Sequence, residues 1–184
     1  MESKVKLFGH PVHPMLVVFP LGLLVTSLIF DIVYLITKNS SFGPVSFWMI
    51  AAGVVGGLVA ALFGLLDWLS IPAGTRAKSV GLWHGLGNVV VVAFFAISWF
   101  LRRGNPANVP DTTALIFSVL GVGLGTVTAW LGGELVDRLG VGVDRGAHLD
   151  APSSLSGAPA STNTPAHPAA SVREEPLRER EVGK

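Results

Sequence analysis

The chain has 184 residues, of which 50% are hydrophobic and only 14% are charged, and its mean hydropathy is +0.58. Soluble domains carry about 25% charged residues, so this composition indicates a membrane protein. The net charge of +1 creates no strong field for nucleic acid, and we expect no nucleic-acid partner. The absence of cysteine excludes disulfides, thiolate nucleophiles and iron–sulfur ligation, so any cofactor would need His, Asp, Glu, Met or backbone ligands.

Four apolar segments are each long enough to cross a bilayer, which takes about 20 helical residues. The first follows Lys4 and Lys6 but is too long for a signal peptide, so we expect it to be retained. It contains Pro20, which predicts a kink. The predicted spans are 15–37, 45–69, 81–101 and 113–136. The predicted fold class is therefore all-α: an antiparallel bundle of four transmembrane helices in the lipid bilayer.

Small residues recur at helical spacing within two of the predicted spans. Gly53 and Gly57 form a GxxxG pair in the second span, and Gly121 and Gly125 form another in the fourth. Such pairs let helix backbones approach closely in membranes. Gly43 falls in the predicted loop before the second span. We therefore expect substitutions in the pairs to disturb packing more than a substitution of Gly43.

The composition changes sharply near residue 146. Residues 1–145 hold the four-span bundle, whereas residues 146–184 are rich in Ala, Pro and Ser and end in alternating charges. This second segment has too little apolar surface to offset the entropy lost on ordering. It is predicted to be a disordered tail on the same side of the membrane as the N-terminus.

Basic residues near the membrane are unevenly distributed between the two predicted faces. An even number of spans puts both termini on one side, and cytoplasmic loops carry the excess of Lys and Arg. The terminal side has six such residues and the other side three; they are Lys4, Lys6, Arg76, Lys78, Arg138 and Arg145 against Lys38, Arg102 and Arg103. The bias predicts that both termini are cytoplasmic.

The ionisable residues of the spans concentrate at the terminal face. In an antiparallel bundle the start of spans one and three and the end of spans two and four meet there. Asp31 alone lies toward the opposite interface, where we expect water to reach it. The residues expected at the terminal face are His10, His13, Asp67, His84, Glu134 and Asp137.

Two chemistries and one structural role are compatible with this cluster. His13 and His84 belong to diagonal spans, so they can face each other as two axial ligands of haem b, with glycine-rich helices making room for the macrocycle. Alternatively, zinc or iron binds in a metal-dependent hydrolase, whose ligands come from His10, His13, Asp67, His84, Glu134 and Asp137.

In the structural alternative the same side chains only tie helix ends together in a non-enzymatic assembly protein. His13 then caps a helix and His84 bonds to Asp67. The residues do not decide among these three alternatives, so they leave open whether the protein is an enzyme. We give haem binding with a redox role the first place.

Several motifs together resemble the bacterial family called domain of unknown function 2231. They are Gly9-His10-Pro11-Val12-His13-Pro14, Gly64-Leu65-Leu66-Asp67-Trp68, His84, and Gly132-Gly133-Glu134 leading to Gly140-Val141-Gly142-Val143. The resemblance covers residues 7–145 and implies a four-helix, multi-pass protein of the bacterial inner membrane without an established activity. Some members are joined to a Rieske iron–sulfur module, which implies electron transfer and a redox partner. Many members have His where this chain has Glu134. The remaining expected partner is a second copy of the chain, in a homo-oligomer.

Overall fold

The computed structural model of the chain describes residues 1–162 and contains four long helices. A short hairpin of β1 (Lys6–Leu7) and β2 (His10–Pro11) precedes them. Each helix is long and apolar enough to cross a membrane, which confirms the predicted all-α membrane bundle. The helices are α1 (Val12–Thr37), α2 (Phe42–Ser70), α3 (Arg76–Arg102) and α4 (Thr112–Gly133).

The helices begin earlier than the apolar segments do. α2 starts at Phe42, so Gly43 is helical, and the predicted loop position was wrong. α3 starts at Arg76 because the Thr75 hydroxyl caps it, accepting the backbone N–H of Lys78 at 3.2 Å. Asp111 caps α4 in the same way. Hydropathy detects only the apolar middle of a span, whereas capping residues set its ends.

The helices run up and down, and each packs mainly on its neighbour in the chain. α1 packs against α2, α3 packs against α4, and α2 also contacts α3. The buried apolar core is small and lies midway along the bundle; its members are Leu24, Ile50, Val91 and Phe95. Many large apolar side chains are exposed instead, including Trp48, Trp83 and Trp130. This distribution fits a bundle whose outer surface faces lipid.

Glycines provide the closest approaches between helices. A Cβ at Gly53 would lie 2.6 Å from the Leu24 side chain, whereas one at Gly125 would be in ordinary contact at 3.9 Å. A Cβ at Gly121 would lie 2.6 Å from the Phe95 ring. A Cβ at Gly43 would overlap the carbonyl oxygen of Ala107, so Gly43 is not the neutral position that we expected. Close packing therefore occurs at Gly53 of the α2 pair, at Gly121 of the α4 pair and at Gly43 near the start of α2.

The N-terminal segment closes the end of the bundle where α1 begins. α4 continues into one π-helical turn, Glu134–Arg138. The loop after this turn binds Met1, whose ammonium donates to the carbonyl of Gly140 at 2.6 Å and whose carbonyl accepts the N–H of Gly142 at 2.7 Å. Lys6 pairs with Asp144 in the same region. We call residues 1–11 with the loop 139–145 the terminal cap.

Two compact units divide the chain, Met1–Arg145 and Gly146–Lys184. The described part of the second unit contains one short 3-10 turn, Ser154–Ser156. The predicted disorder of the tail falls largely on residues 163–184, which lie outside the described residues.

Candidate functional site

Two histidines from diagonal helices meet inside the bundle. The rings of His13 on α1 and His84 on α3 have centroids 6.5 Å apart, and their planes are nearly perpendicular at 89°. Both side chains are partly buried. His84 lies roughly 12 Å from the start of α3, at about 1.5 Å per residue, so the pair sits below the bundle end rather than at its edge. We call His13 and His84 the histidine pair.

Each histidine is held by a backbone carbonyl of the helix next to it. Nδ1 of His13 donates to the carbonyl of Ala60 at 2.9 Å, and Nδ1 of His84 donates to the carbonyl of Thr128 at 2.8 Å. A carbonyl oxygen can only accept, so both Nδ1 atoms carry the proton. The Nε2 atom of each ring is then the nitrogen that can accept a hydrogen bond or bind a metal.

Glycines make the space that the two rings occupy. A Cβ at Gly64 would lie 2.8 Å from Cε1 of His13, and one at Gly132 would lie 3.1 Å from Cε1 of His84. Each glycine follows the residue whose carbonyl holds that ring by one helical turn. Any larger residue at Gly64 would push the His13 ring away from its carbonyl partner.

A polar side chain on α3 completes the surroundings of His84. The amide of Asn88 donates to Nε2 of His84 at 3.2 Å and to the carbonyl of the same residue at 3.0 Å. The hydroxyl of Thr128 donates to the Asn88 side-chain oxygen at 2.9 Å. His84 therefore has a fixed orientation, and the bond to Asp67 that the structural alternative expected is not formed, since its partners are Thr128 and Asn88.

The carboxylates expected near the histidines have other partners. Asp67 accepts the Ser3 hydroxyl at 2.6 Å and the backbone N–H of Lys4 at 3.0 Å, so it anchors the terminal cap. Glu134 pairs with Arg76 at 2.6 Å and lies in the π-helical turn. Asp67 is about 4.5 Å nearer to the end of α2 than Gly64, at about 1.5 Å per residue. The carboxylates form a separate, outer layer.

The two remaining candidates lie outside the bundle core. His10 is exposed on β2, and Asp137 is exposed in the π-helical turn. Within residues 1–162, no three or more His, Asp or Glu side chains are grouped so that they could hold a metal ion. The structure thus brings together His13 and His84 out of the six predicted site residues.

An ion pair that we did not predict lies at the opposite end of the bundle. Arg102 donates to Asp31 through two bonds, Nη1 to Oδ1 and Nη2 to Oδ2, each 2.6 Å long. Both side chains are fully buried, with 0% of each exposed. Asp31 therefore has an arginine rather than water as its partner, and Arg102 is not a loop residue facing the solution. The bidentate geometry is the strong form of a carboxylate–guanidinium contact.

Serines from α2, α3 and α4 satisfy the remaining donors of Arg102. Nη1 donates to Ser46 of α2 at 2.9 Å, and Nη2 donates to Ser118 of α4 at 3.1 Å. Ser98 accepts from Nε and Nη2 at 3.3 and 3.1 Å. All four helices thus contribute to one buried polar layer, which we call the arginine layer. Its donors are all used within the protein, so it ties helices together rather than offering groups to a ligand.

The sequence carried a signal for the arginine layer. Asp31 follows His13 by as many residues as Arg102 follows His84, and a serine stands four residues before each of them. Two intramembrane residues of opposite charge at matched depths predict a pair, because a lone charge there is costly. We instead counted Arg102 with Arg103 as the end of the span.

Comparison with known proteins identifies the family of the bundle. No curated protein and no solved structure matches the chain. Residues 9–145 match a family described as a predicted membrane protein, DUF2231, and this match covers most of the chain and all four helices. The chain belongs to that family, the predicted membrane protein family DUF2231.

Proposed function

We propose that the protein is a membrane electron-transfer component that binds haem b between His13 and His84. The observation that carries the proposal is the facing of two imidazoles from diagonal helices, with ring centroids 6.5 Å apart. Imidazole is a common haem ligand, so His13 and His84 would hold the iron between them.

The hydrogen bonds of both rings also support ligation. Histidines that bind metals commonly donate their other ring N–H to a carbonyl or carboxylate, which orients the ring and raises its basicity. Ala60 and Thr128 supply such carbonyls here. Ligation would require Asn88 to release Nε2 of His84, while Asn88 keeps its bonds to the backbone of α3 and to Thr128.

Bound haem would supply one-electron transfer, and the chain's own residues would set its orientation and reduction potential. His13 and His84 would hold the iron, and Gly64 and Gly132 give the two rings the space that they occupy. The apolar helices around them exclude water, which favours the less charged state of a buried redox group. A Rieske-type protein is a suitable partner for such a carrier.

The metal-hydrolase alternative has less support. It needs carboxylates beside the histidines, but Asp67 holds Ser3 and Lys4, and Glu134 holds Arg76. The structural alternative differs from our proposal in one respect, since it expects no cofactor. Both alternatives are separate outcomes of the following experiment.

The test is the absorbance spectrum of protein purified after expression with haem supplied. We expect a Soret band that sharpens on reduction and is lost in His13→Ala and in His84→Ala. The matched control is His10→Ala, from the same His-Pro repeat, which should retain the band. If bound zinc or iron is found without haem and His10→Ala lowers its amount, the hydrolase alternative is favoured. A protein with no cofactor, in which the His84 variant only melts at a lower temperature, would refute the proposal.

The proposal includes an orientation, with both termini on the cytoplasmic side of a bacterial plasma membrane. The basic residues support it more strongly than the sequence count suggested. Because Arg102 is buried in the arginine layer, only Lys38 and Arg103 remain on the opposite side. Loops with more Lys and Arg stay in the cytoplasm. The histidine pair would then lie toward the cytoplasmic side.

A further inference from the structure

Two helical hairpins, α1 with α2 and α3 with α4, make the same contacts around their histidines. In the first hairpin His13 donates to Ala60 and packs on a glycine one turn further along α2. In the second hairpin His84 donates to Thr128 and packs on a glycine one turn further along α4. Ring, carbonyl and glycine thus occur twice in the same arrangement.

The repetition continues along both hairpins toward the arginine layer. Leu24 packs on Gly53 as Phe95 packs on Gly121, with a hypothetical Cβ at 2.6 Å in both cases. Leu24 follows His13 by as many residues as Phe95 follows His84, and both are buried. Gly53 likewise precedes Ala60 by as many residues as Gly121 precedes Thr128, the two residues whose carbonyls accept from the histidines. Between these positions and the histidines, a Cβ at Gly57 would lie 3.7 Å from Pro20, and one at Gly125 would lie 3.9 Å from Val91.

The matched positions differ in one important respect, which is charge. Ser27 and Ser98 are equivalent and both fully buried. One turn later Asp31 is equivalent to Arg102, and these two bind each other. Equivalent positions in a two-fold arrangement lie across the axis from each other, which is why the opposite charges can meet. Two identical hairpins would place like charges together there, and like charges in contact disfavour association.

We infer that the chain is an internal duplication of one helical hairpin and that Asp31 and Arg102 form a clamp between the two copies. Both copies start at the same end of the bundle, so the repeat is parallel and its pseudo-two-fold axis runs along the membrane normal. The clamp holds the copies together at one end, and the histidine pair faces across the same axis at the other. Resting on the proposed function, this makes Asp31 and Arg102 positioning residues for the two imidazoles.

The test exchanges the two charges in the full chain. D31R and R102D each put two charges of the same sign into the arginine layer. Removing one partner of a buried pair is strongly destabilising, and we expect melting temperatures to fall by about 6 to 20 °C. In D31R/R102D the pair is restored, because Ser27 stands one turn before the new arginine as Ser98 does in the native chain. The restoration should be partial, since Ile50 occupies the position equivalent to Ser118.

The distance between the two copies can be measured directly because the chain has no cysteine. Spin labels on G22C in α1 and G123C in α4 report this distance, and a Cβ at either position would meet nothing within 4 Å. We expect a broadened distance distribution in D31R and in R102D, and a return to the native distribution in D31R/R102D. R102M and D31L/R102M serve as uncharged counterparts, in which the double variant should again recover more than the single one.

Two results would overturn the inference. A double exchange that is no more stable than the single variants would show that the two positions are not equivalent. Native label distances in every single variant would show that the pair does not clamp the copies. These measurements use haem-free protein, so they stand apart from the Soret test. Native-like distances in the double variant with no Soret band in any protein would uphold the duplication and refute the proposed function alone.

Discussion

The packing of His13 on Gly64 leads to a prediction with a matched control in the same helix. A Cβ at Gly64 would lie 2.8, 3.0 and 3.2 Å from Cε1, Nδ1 and Nε2 of the His13 ring. The nearest contact of a Cβ at Gly56, also on α2, is an ordinary 3.4 Å from Pro20. Gly64→Ala should therefore strain the histidine pair, whereas Gly56→Ala should not.

The magnitude follows from comparing the two alanine variants. Each replaces a helical glycine and gains up to about 1 kcal/mol of helix propensity, so this gain cancels in the comparison. Overpacking a well-filled site costs about 1–3 kcal/mol. The free energy of unfolding of Gly64→Ala should be lower than that of Gly56→Ala by this amount. The corresponding difference in melting temperature is about 2–12 °C for a chain of this size.

The assay is thermal unfolding in detergent followed by helix circular dichroism. The Soret intensity of the same samples provides a second readout, because displacement of the His13 ring should weaken haem retention in Gly64→Ala alone. Equal melting temperatures within about 1 °C would refute the reasoning, since they would mean that the His13 ring can move without cost.

Two further predictions concern the terminal cap and the orientation. The hydrogen bond to Asp144 raises the pKa of Lys6 above its ordinary 10.5, and Lys6 lowers the pKa of Glu2 below its ordinary 4.5. Lys6 stabilises the terminal cap fully below pH 10.5, and this stabilisation is lost as the pH rises through its raised pKa. Glu2 stabilises the cap fully above pH 4.5, and this stabilisation is lost as the pH falls through its lowered pKa. After correction for the intrinsic rate, the rate of amide hydrogen exchange in the terminal cap should not change with pH between these limits. It should rise below about pH 4.5 in the native chain, but not in Glu2→Gln, which lacks the carboxylate. Reporter fusions after Lys184 and within residues 104–108 should lie on opposite sides of the membrane, with Lys184 cytoplasmic; a cytoplasmic signal from the loop would contradict the proposed orientation.

Local sequence was sufficient for the four helices, their order and the depth of their histidines. A run of apolar residues must form a helix in lipid, because every backbone N–H and C=O has to be satisfied within the segment. An up-and-down order of short-looped helices then puts His13 and His84 on diagonal helices at one end. The facing rings in the structure agree with that expectation. The ends of the helices were less predictable, since Thr75 and Asp111 act through single hydrogen bonds that hydropathy does not contain.

The partners of the ionisable side chains were decided by the tertiary structure. Asp67, Glu134 and the histidines all belong to one end of the bundle, but small differences in depth along the helices, together with the contacts of the terminal cap, separate them into two layers. The sequence places Asp31 and Arg102 at the same depth on diagonal helices. Only the packed bundle shows that they meet, because a buried charge must be paired and all four helices have to close around the pair to supply its hydrogen bonds.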